Sequence, residues 1–261
     1  MIKIFSIKSH RGNFASLHKW LYPLLALIVG CNPINLEQKP VDFVYLSDVD
    51  PTIIENPRYF NPSNFTGRPV PGYTYPRITC TRDAAMALAN AHAELKEKGY
   101  RLVVYDGYRP QRSVNAFMKW SGDMNDQAVK HLYYPTIDKR DLFNLGYVAE
   151  RSSHSRGSTF DLTIIPIGNH VKPLTTTHRP LKNGELIPFI DDGTVDMGSS
   201  FDLFHKASHH DSPVIQEQYL QRRNFLRNIM KKNGFKHYQL EWWHYTLENE
   251  PYPDTYFNFI S

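Results

Sequence analysis

Apolar residues recur at helical spacing along Ala84, Leu88, Ala91 and Leu95, and this stripe predicts a helix over 81–98. Thr81 stands where an N-cap is wanted and Gly99 where a helix stops. The run Arg101-Leu102-Val103-Val104-Tyr105 reads as a strand, left by the sharp turn Asp106-Gly107-Tyr108-Arg109-Pro110. A second helix is expected over 111–121, and strands over 43–46 and 159–165. Pro213 and the pair Asn233-Gly234 bound a long helix over 213–233, after which 238–247 supplies a late strand. Residues 51–79 and 167–195 are rich in turn formers; the first reads as a loop packed over the body, the second as a loop or hairpin insertion. The class this predicts is α+β, with helices on one side of a small, largely antiparallel sheet.

The first 30 residues follow a different pattern. They carry Lys3, Lys8, Arg11 and Lys19, no acid, and then an apolar run from Trp20 that ends at Cys31. A basic head, a short apolar centre and a small residue before the cut describe an export signal. The run is too short to span a ~30 Å hydrocarbon layer comfortably, and Pro23 lies inside it. Ile28-Val29-Gly30-Cys31 resembles a bacterial lipobox, in which the cysteine becomes the lipidated first residue. An ordinary cleaved signal and an uncleaved anchor are the alternatives. The expected organisation is a signal over 1–31, a tether over 32–40 and one catalytic domain over 41–261. Periplasmic location follows, with membrane contact only through a lipid on Cys31.

Setting the leader aside changes the charge picture. The chain has 30 Lys+Arg against 26 Asp+Glu, and the four basic residues of the leader account for the whole excess. The remainder is neutral and has no run of interleaved basic and aromatic residues, which argues against nucleic-acid binding. Only two cysteines exist, Cys31 and Cys80, so the fold is expected to stand without a disulfide. A body of this length buries enough apolar surface to do so.

The chemistry concentrates in two stretches, Ser152-Ser153-His154-Ser155-Arg156-Gly157-Ser158-Thr159-Phe160-Asp161 and Glu241-Trp242-Trp243-His244. One histidine among 12 is uninformative alone. His154 and Asp161, however, flank Gly157, which lets the backbone turn tightly enough for a loop residue and a strand residue to converge. With His244 from the late strand they make the three-ligand set of a hydrolytic zinc centre, one Zn²⁺ per chain, leaving a position for water. A single carboxylate against a dication leaves the metal electrophilic. Glu241 is then the free acid that takes the water proton. In a regular strand positions i and i+3 face opposite sides, so Glu241 and His244 share a pocket only if the strand is kinked or bulged. Arg109 has two readings: a guanidinium that stabilises the tetrahedral oxyanion, or a helix start with a surface ion pair.

Ser152-x-His154-x-x-Gly157-x-Thr159-x-Asp161 resembles the S-x-H-x-x-G-x-A-x-D signature of the zinc D,D-peptidases, and Glu241-Trp242-Trp243-His244 resembles their E-x-W-H. Asn64-Phe65-Thr66-Gly67-Arg68-Pro69-Val70, Tyr105-Asp106-Gly107-Tyr108-Arg109-Pro110, Asp196-Met197-Gly198 with Phe201-Asp202, and Ser208-His209-His210 narrow the match. These are similar to the D-alanyl-D-alanine dipeptidases, known from vancomycin resistance and peptidoglycan turnover. The resemblance implies a zinc D,D-peptidase-like fold, with His154, Asp161 and His244 as ligands, Glu241 as base and Arg109 as the transition-state arginine. It further implies that Asp106 and Ser152 shape the substrate pocket and that Asp196 meets the substrate ammonium. Thr159 in place of alanine and a long 168–195 segment depart from the pattern, and they bear on the exact substrate. The expected partner is the small dipeptide D-alanyl-D-alanine. A D,D-carboxypeptidase or endopeptidase on peptidoglycan stem peptides, and a non-catalytic envelope-binding lipoprotein, are the alternatives.

Overall fold

Thr81 ends a short strand and caps the first long helix in the computed structural model, which describes residues 35–261. The Thr81 side chain accepts a hydrogen bond from the Ala84 amide, satisfying one of the free donors of the first turn. In chain order the elements are β1 (Phe43–Tyr45), α1 (Leu46–Val49), β2 (Ile54–Glu55), β3 (Thr79–Thr81), α2 (Arg82–Glu97), β4 (Tyr100–Asp106), α3 (Gln111–Gly122), α4 (Lys130–Tyr133), β5 (Thr159–Pro166), β6 (Thr175–Pro180), β7 (Leu186–Asp191), α5 (Glu217–Lys232), β8 (Phe235–Tyr238) and β9 (Glu241–Leu247). The expected signal over 1–31, Cys31 itself and the start of the expected tether lie outside the described residues. Among the described residues no helix is long and apolar enough to cross a membrane.

The main sheet runs β2-β4-β5-β9-β8, and only the β2–β4 pair is parallel. Its central strand β5 is buried along nearly its whole length, with Phe160, Leu162 and Ile164 on one face and the buried polar residues Thr159, Asp161 and Thr163 on the other. Helices α2 and α5 pack on the sheet and on each other. Ala84, Leu88, Ala91 and Leu95 are all fully buried, as the periodicity requires; burying each leucine side chain contributes about 1.5–3 kcal/mol. A second layer of rings, in which Phe65 meets Phe117 at 4.7 Å, Trp120 at 5.0 Å and Phe204 at 4.9 Å, supports the loop after β2.

Register places the site. Asp106 at the end of β4 pairs with Asp161 of β5, and Asp161 pairs with His244 of β9, so three polar residues form one row across three strands. A register shift between Val104 and Asp106 sets the first of these pairs.

Several expectations need correction. Helix α5 begins at Glu217, because Val214 and Ile215 turn inward onto Leu181 and Ile187 in a satellite core. The late strand is a hairpin: β8 precedes β9, and alternating burial over Phe235–Tyr238 is short enough to be hidden in the sequence. The loop over 51–79 holds β2 and a single 3₁₀ turn, Arg58–Phe60. The 167–195 insertion needs no correction: it is the hairpin, one of the two forms expected of it, made of β6 and β7. Within the expected tether, Leu36 is already docked, its carbonyl accepting from the Asn258 amide.

Candidate metal centre

Ser152 starts the local structure that presents His154. Its side chain caps the one-turn 3₁₀ helix Ser153–Arg156, accepting from the His154 amide at 3.3 Å. Gly157 then ends that turn with φ +86°. A side chain there would run into the Phe43 ring, so the turn needs glycine twice over, for its backbone angle and for its close packing.

The result is a fully buried imidazole whose Nδ1 donates to the Gly107 carbonyl at 2.8 Å, leaving the Nε2 lone pair free. His244 is held in the opposite sense: its Nε2 lies 3.2 Å from the Ser153 hydroxyl and its Nδ1 faces inward. The distances among the inward atoms are 3.3 Å from His154 Nε2 to His244 Nδ1, 3.3 Å from His154 Nε2 to Asp161 Oδ1, and 3.2 Å from His244 Nδ1 to Asp161 Oδ1. Ligand atoms bound at ~2.0–2.2 Å to one tetrahedral ion stand ~3.3–3.6 Å apart. The triangle therefore fits such an ion. Asp161 Oδ1 is also buried without a well-formed hydrogen bond, despite these close neighbours. An orphaned carboxylate oxygen facing two imidazole lone pairs is the arrangement a cation satisfies.

Electrostatics point the same way. Burial alone would raise the Asp161 carboxyl, yet His154 and His244 hold it well below the ordinary carboxylate range. Burial acts to lower His244, but hydrogen bonding and charge from Asp161 and Glu241 push it up to about 9. The pocket's fixed charges thus favour positive charge at this point. A cation bound there would compete with the proton that these charges favour on His244. The orienting bond from Ser153 makes a prediction: Ser153→Ala should weaken the affinity for a divalent metal ~10–100-fold, read by competition with a chromogenic chelator. Unchanged affinity would reduce that hydroxyl to a bystander.

Glu241 opens β9 directly after the hairpin turn, where the β8–β9 register shifts between His237 and Tyr238. That irregularity answers the strand-geometry objection, since Glu241 Oε2 lies 3.4 Å from His244 Nδ1 on the same side. Arg109 leaves β4 and folds back. Its Nε donates to Asp106 at 2.9 Å, its Nη2 lies 3.3 Å from Asp161 Oδ2, and its amide lies 3.3 Å from the His154 carbonyl. The guanidinium is mostly buried against Tyr59 and Phe117, which excludes the surface ion-pair reading.

A cavity of about 380 Å³ opens beside this group, lined by Arg109, Ser152, Asp161, Glu241 and His244 and walled by Tyr59, Phe65, Phe117, Val148 and Phe204. Its volume suits a small-molecule site. Asp106 does not line it. The Asp106 carboxylate lies behind Arg109, accepting from Tyr73 at 2.9 Å, and so orients the guanidinium. Asp196 is likewise elsewhere: Arg179 grips both of its oxygens at 2.6 and 2.5 Å, beside a separate cavity of about 30 Å³.

The acid that faces the pocket is Asp202, six residues further on and missed by the sequence reading. It is buried, has φ 60°, and accepts from the Tyr59 hydroxyl at 3.1 Å. Burial, then the charges of Asp161 and Glu241, push its carboxyl well above the ordinary value. A strained, buried acid on a cavity wall marks a binding position. Its signal lay in Phe201-Asp202, but choosing between two nearby aspartates needs the path of the chain after β7.

Comparison with known proteins agrees with this geometry. A family profile described as D-ala-D-ala dipeptidase matches residues 39–172 and 190–261. The break falls on the β6–β7 hairpin. The chain is 42% identical over 217 residues to a D-alanyl-D-alanine dipeptidase of Enterococcus faecalis, covering 83% of this chain and 96% of the relative. It is 40% identical over 218 residues to one of Streptomyces coelicolor, covering 84% and 97%. To one of Escherichia coli it is 29% identical over 224 residues, covering 84% and 94%.

Proposed function

The chain belongs to the D-ala-D-ala dipeptidase family of metallopeptidases, and on that premise we propose that it hydrolyses D-alanyl-D-alanine to two D-alanines with zinc as its metal. The observation that carries the reading is the triangle of inward lone pairs on His154, Asp161 and His244, with a second carboxylate beside it. The chemistry that zinc supplies when held by these three residues is Lewis acidity, which polarises a peptide carbonyl and brings the pKa of a water to ~7. Glu241 accepts the proton of the attacking water and hands it to the departing amine. Arg109, fixed by Asp106, neutralises the charge that develops on the carbonyl oxygen. Asp202, held by the Tyr59 hydroxyl at the cavity wall, offers a carboxyl group to meet the substrate ammonium.

A cavity of about 380 Å³ with an acid on its wall has the size and charge that a small free dipeptide needs, and a stem peptide is the second reading. The test is metal analysis of the purified protein together with D-alanine release from D-alanyl-D-alanine and from a stem pentapeptide. Stoichiometric zinc with no release from the dipeptide would sink the proposal.

The basic head, apolar run and Cys31 support export and lipid anchoring near the cell wall. Full-length protein is then expected to partition into detergent, and Cys31→Ala into the aqueous phase. Equal partitioning of the two would refute lipidation.

A further inference from the structure

His154 and Arg109 both sit on irregular backbone, and both are held from behind by residues that touch neither cavity nor ligand atoms. The Phe257 amide donates to the carbonyl of Ser155, next to His154, at 2.9 Å, while the Phe257 carbonyl accepts from Gln111, two residues after Arg109, at 3.0 Å. One peptide segment therefore staples the two loops together. Tyr108, the neighbour of Arg109, stacks on Phe259 at 4.0 Å and donates its hydroxyl to the Phe259 carbonyl at 3.0 Å. The Asn258 side chain accepts from the Arg112 amide at the start of α3 at 2.7 Å.

A second route runs through the loop before β3. Ser261 donates to Gly72 at 2.9 Å and accepts from the Thr74 amide at 2.8 Å. Between them Tyr73 reaches Asp106, which holds the Arg109 Nε.

We propose that residues 257–261 are a positioning element for the metal centre, holding His154 and Arg109 in mutual register through backbone bonds to Ser155 and Gln111. Packing alone does not account for the pattern. The Phe257 ring fills an aromatic cluster with Phe43 and Tyr252, whereas its amide and carbonyl reach the catalytic loops. The two contributions separate by substitution. Phe257→Ala deletes the ring and keeps the donor; Phe257→Pro deletes the ring and also the donor to Ser155, so the difference between the two variants reads the backbone bond.

The turnover arm of the test rests on the functional reading above, and the zinc arm does not. Both variants are made in the full chain, and zinc affinity is measured by chelator competition alongside kcat and KM. Phe257→Pro should bind zinc ~10–100-fold more weakly and lose up to ~10²-fold in kcat, the scale of a 1 Å misplacement, with KM little changed. Phe257→Ala should melt earlier yet keep near wild-type zinc affinity and kcat. A folded Phe257→Pro with wild-type affinity and kcat would overturn the proposal, as would equal catalytic losses in the two variants. Should Phe257→Pro fail to fold, Asn258→Ala is read the same way: smaller losses in the same direction support the proposal, and wild-type values overturn it. Wild-type protein that binds zinc but leaves the dipeptide intact would count against the assigned reaction, and the zinc comparison would still decide the positioning role.

Discussion

Glu241→Ala is expected to keep its zinc and to lose D-alanyl-D-alanine turnover by ~10²–10⁴-fold. The two halves have separate causes. The Glu241 carboxylate is not one of the three converging ligand atoms, and His154, Asp161 and His244 stay in place when it is cut back. Metal content by atomic emission should therefore match wild type. The proton of the nucleophilic water then has no acceptor within reach, because Asp161 faces the metal position and the Asp202 carboxyl is engaged by the Tyr59 hydroxyl. The His154 ring has no spare nitrogen, with Nδ1 committed to Gly107. A variant retaining more than about a tenth of wild-type rate, far above what loss of a general base leaves, would remove Glu241 from the mechanism.

Arg109→Ala should cost ~10²–10³-fold in kcat, the scale of deleting an oxyanion donor. Its guanidinium is fixed on three sides, by Asp106, by Asp161 and by the Tyr59 and Phe117 rings, so little reorganisation is needed as charge builds on the carbonyl oxygen. Burial opposes a charged arginine here, but Asp106 keeps it firmly protonated. Arg109→Lys should rescue poorly, since an ammonium cannot keep the planar fork that meets both aspartates. The measurement is kcat at saturating dipeptide. An unchanged value would leave Arg109 with a folding role alone.

The sequence carries the proximity of these groups unevenly. His154, Asp161 and His244 were legible because chemistry restricts the spacing: a tight glycine turn before a strand, and a late histidine on a strand that pairs with it. Helix α2 was legible because its stripe has one period and clear ends. Asp202 was not, since only the chain path after β7 shows that Asp196 is taken by Arg179. The placement of Asp106 behind Arg109 was equally hidden, because the register shift before it decides which way its carboxylate points. Strand β8 was missed for a local reason: four residues with one buried aromatic do not make a readable alternation. Chain path and pairing geometry are tertiary properties, and the misses at Asp202 and Asp106 belong to them.

The row Asp106, Asp161 and His244 has a consequence for folding as well as catalysis. A slip of one position between the two central strands would swap faces and scatter the donors. A zinc ion gripped there, as proposed above, would recognise only the correctly aligned chain, and its binding would add to the folding free energy by mass action. On the zinc reading the ion would work as a rivet, and a strong chelator is expected to lower the melting temperature as well as to stop turnover.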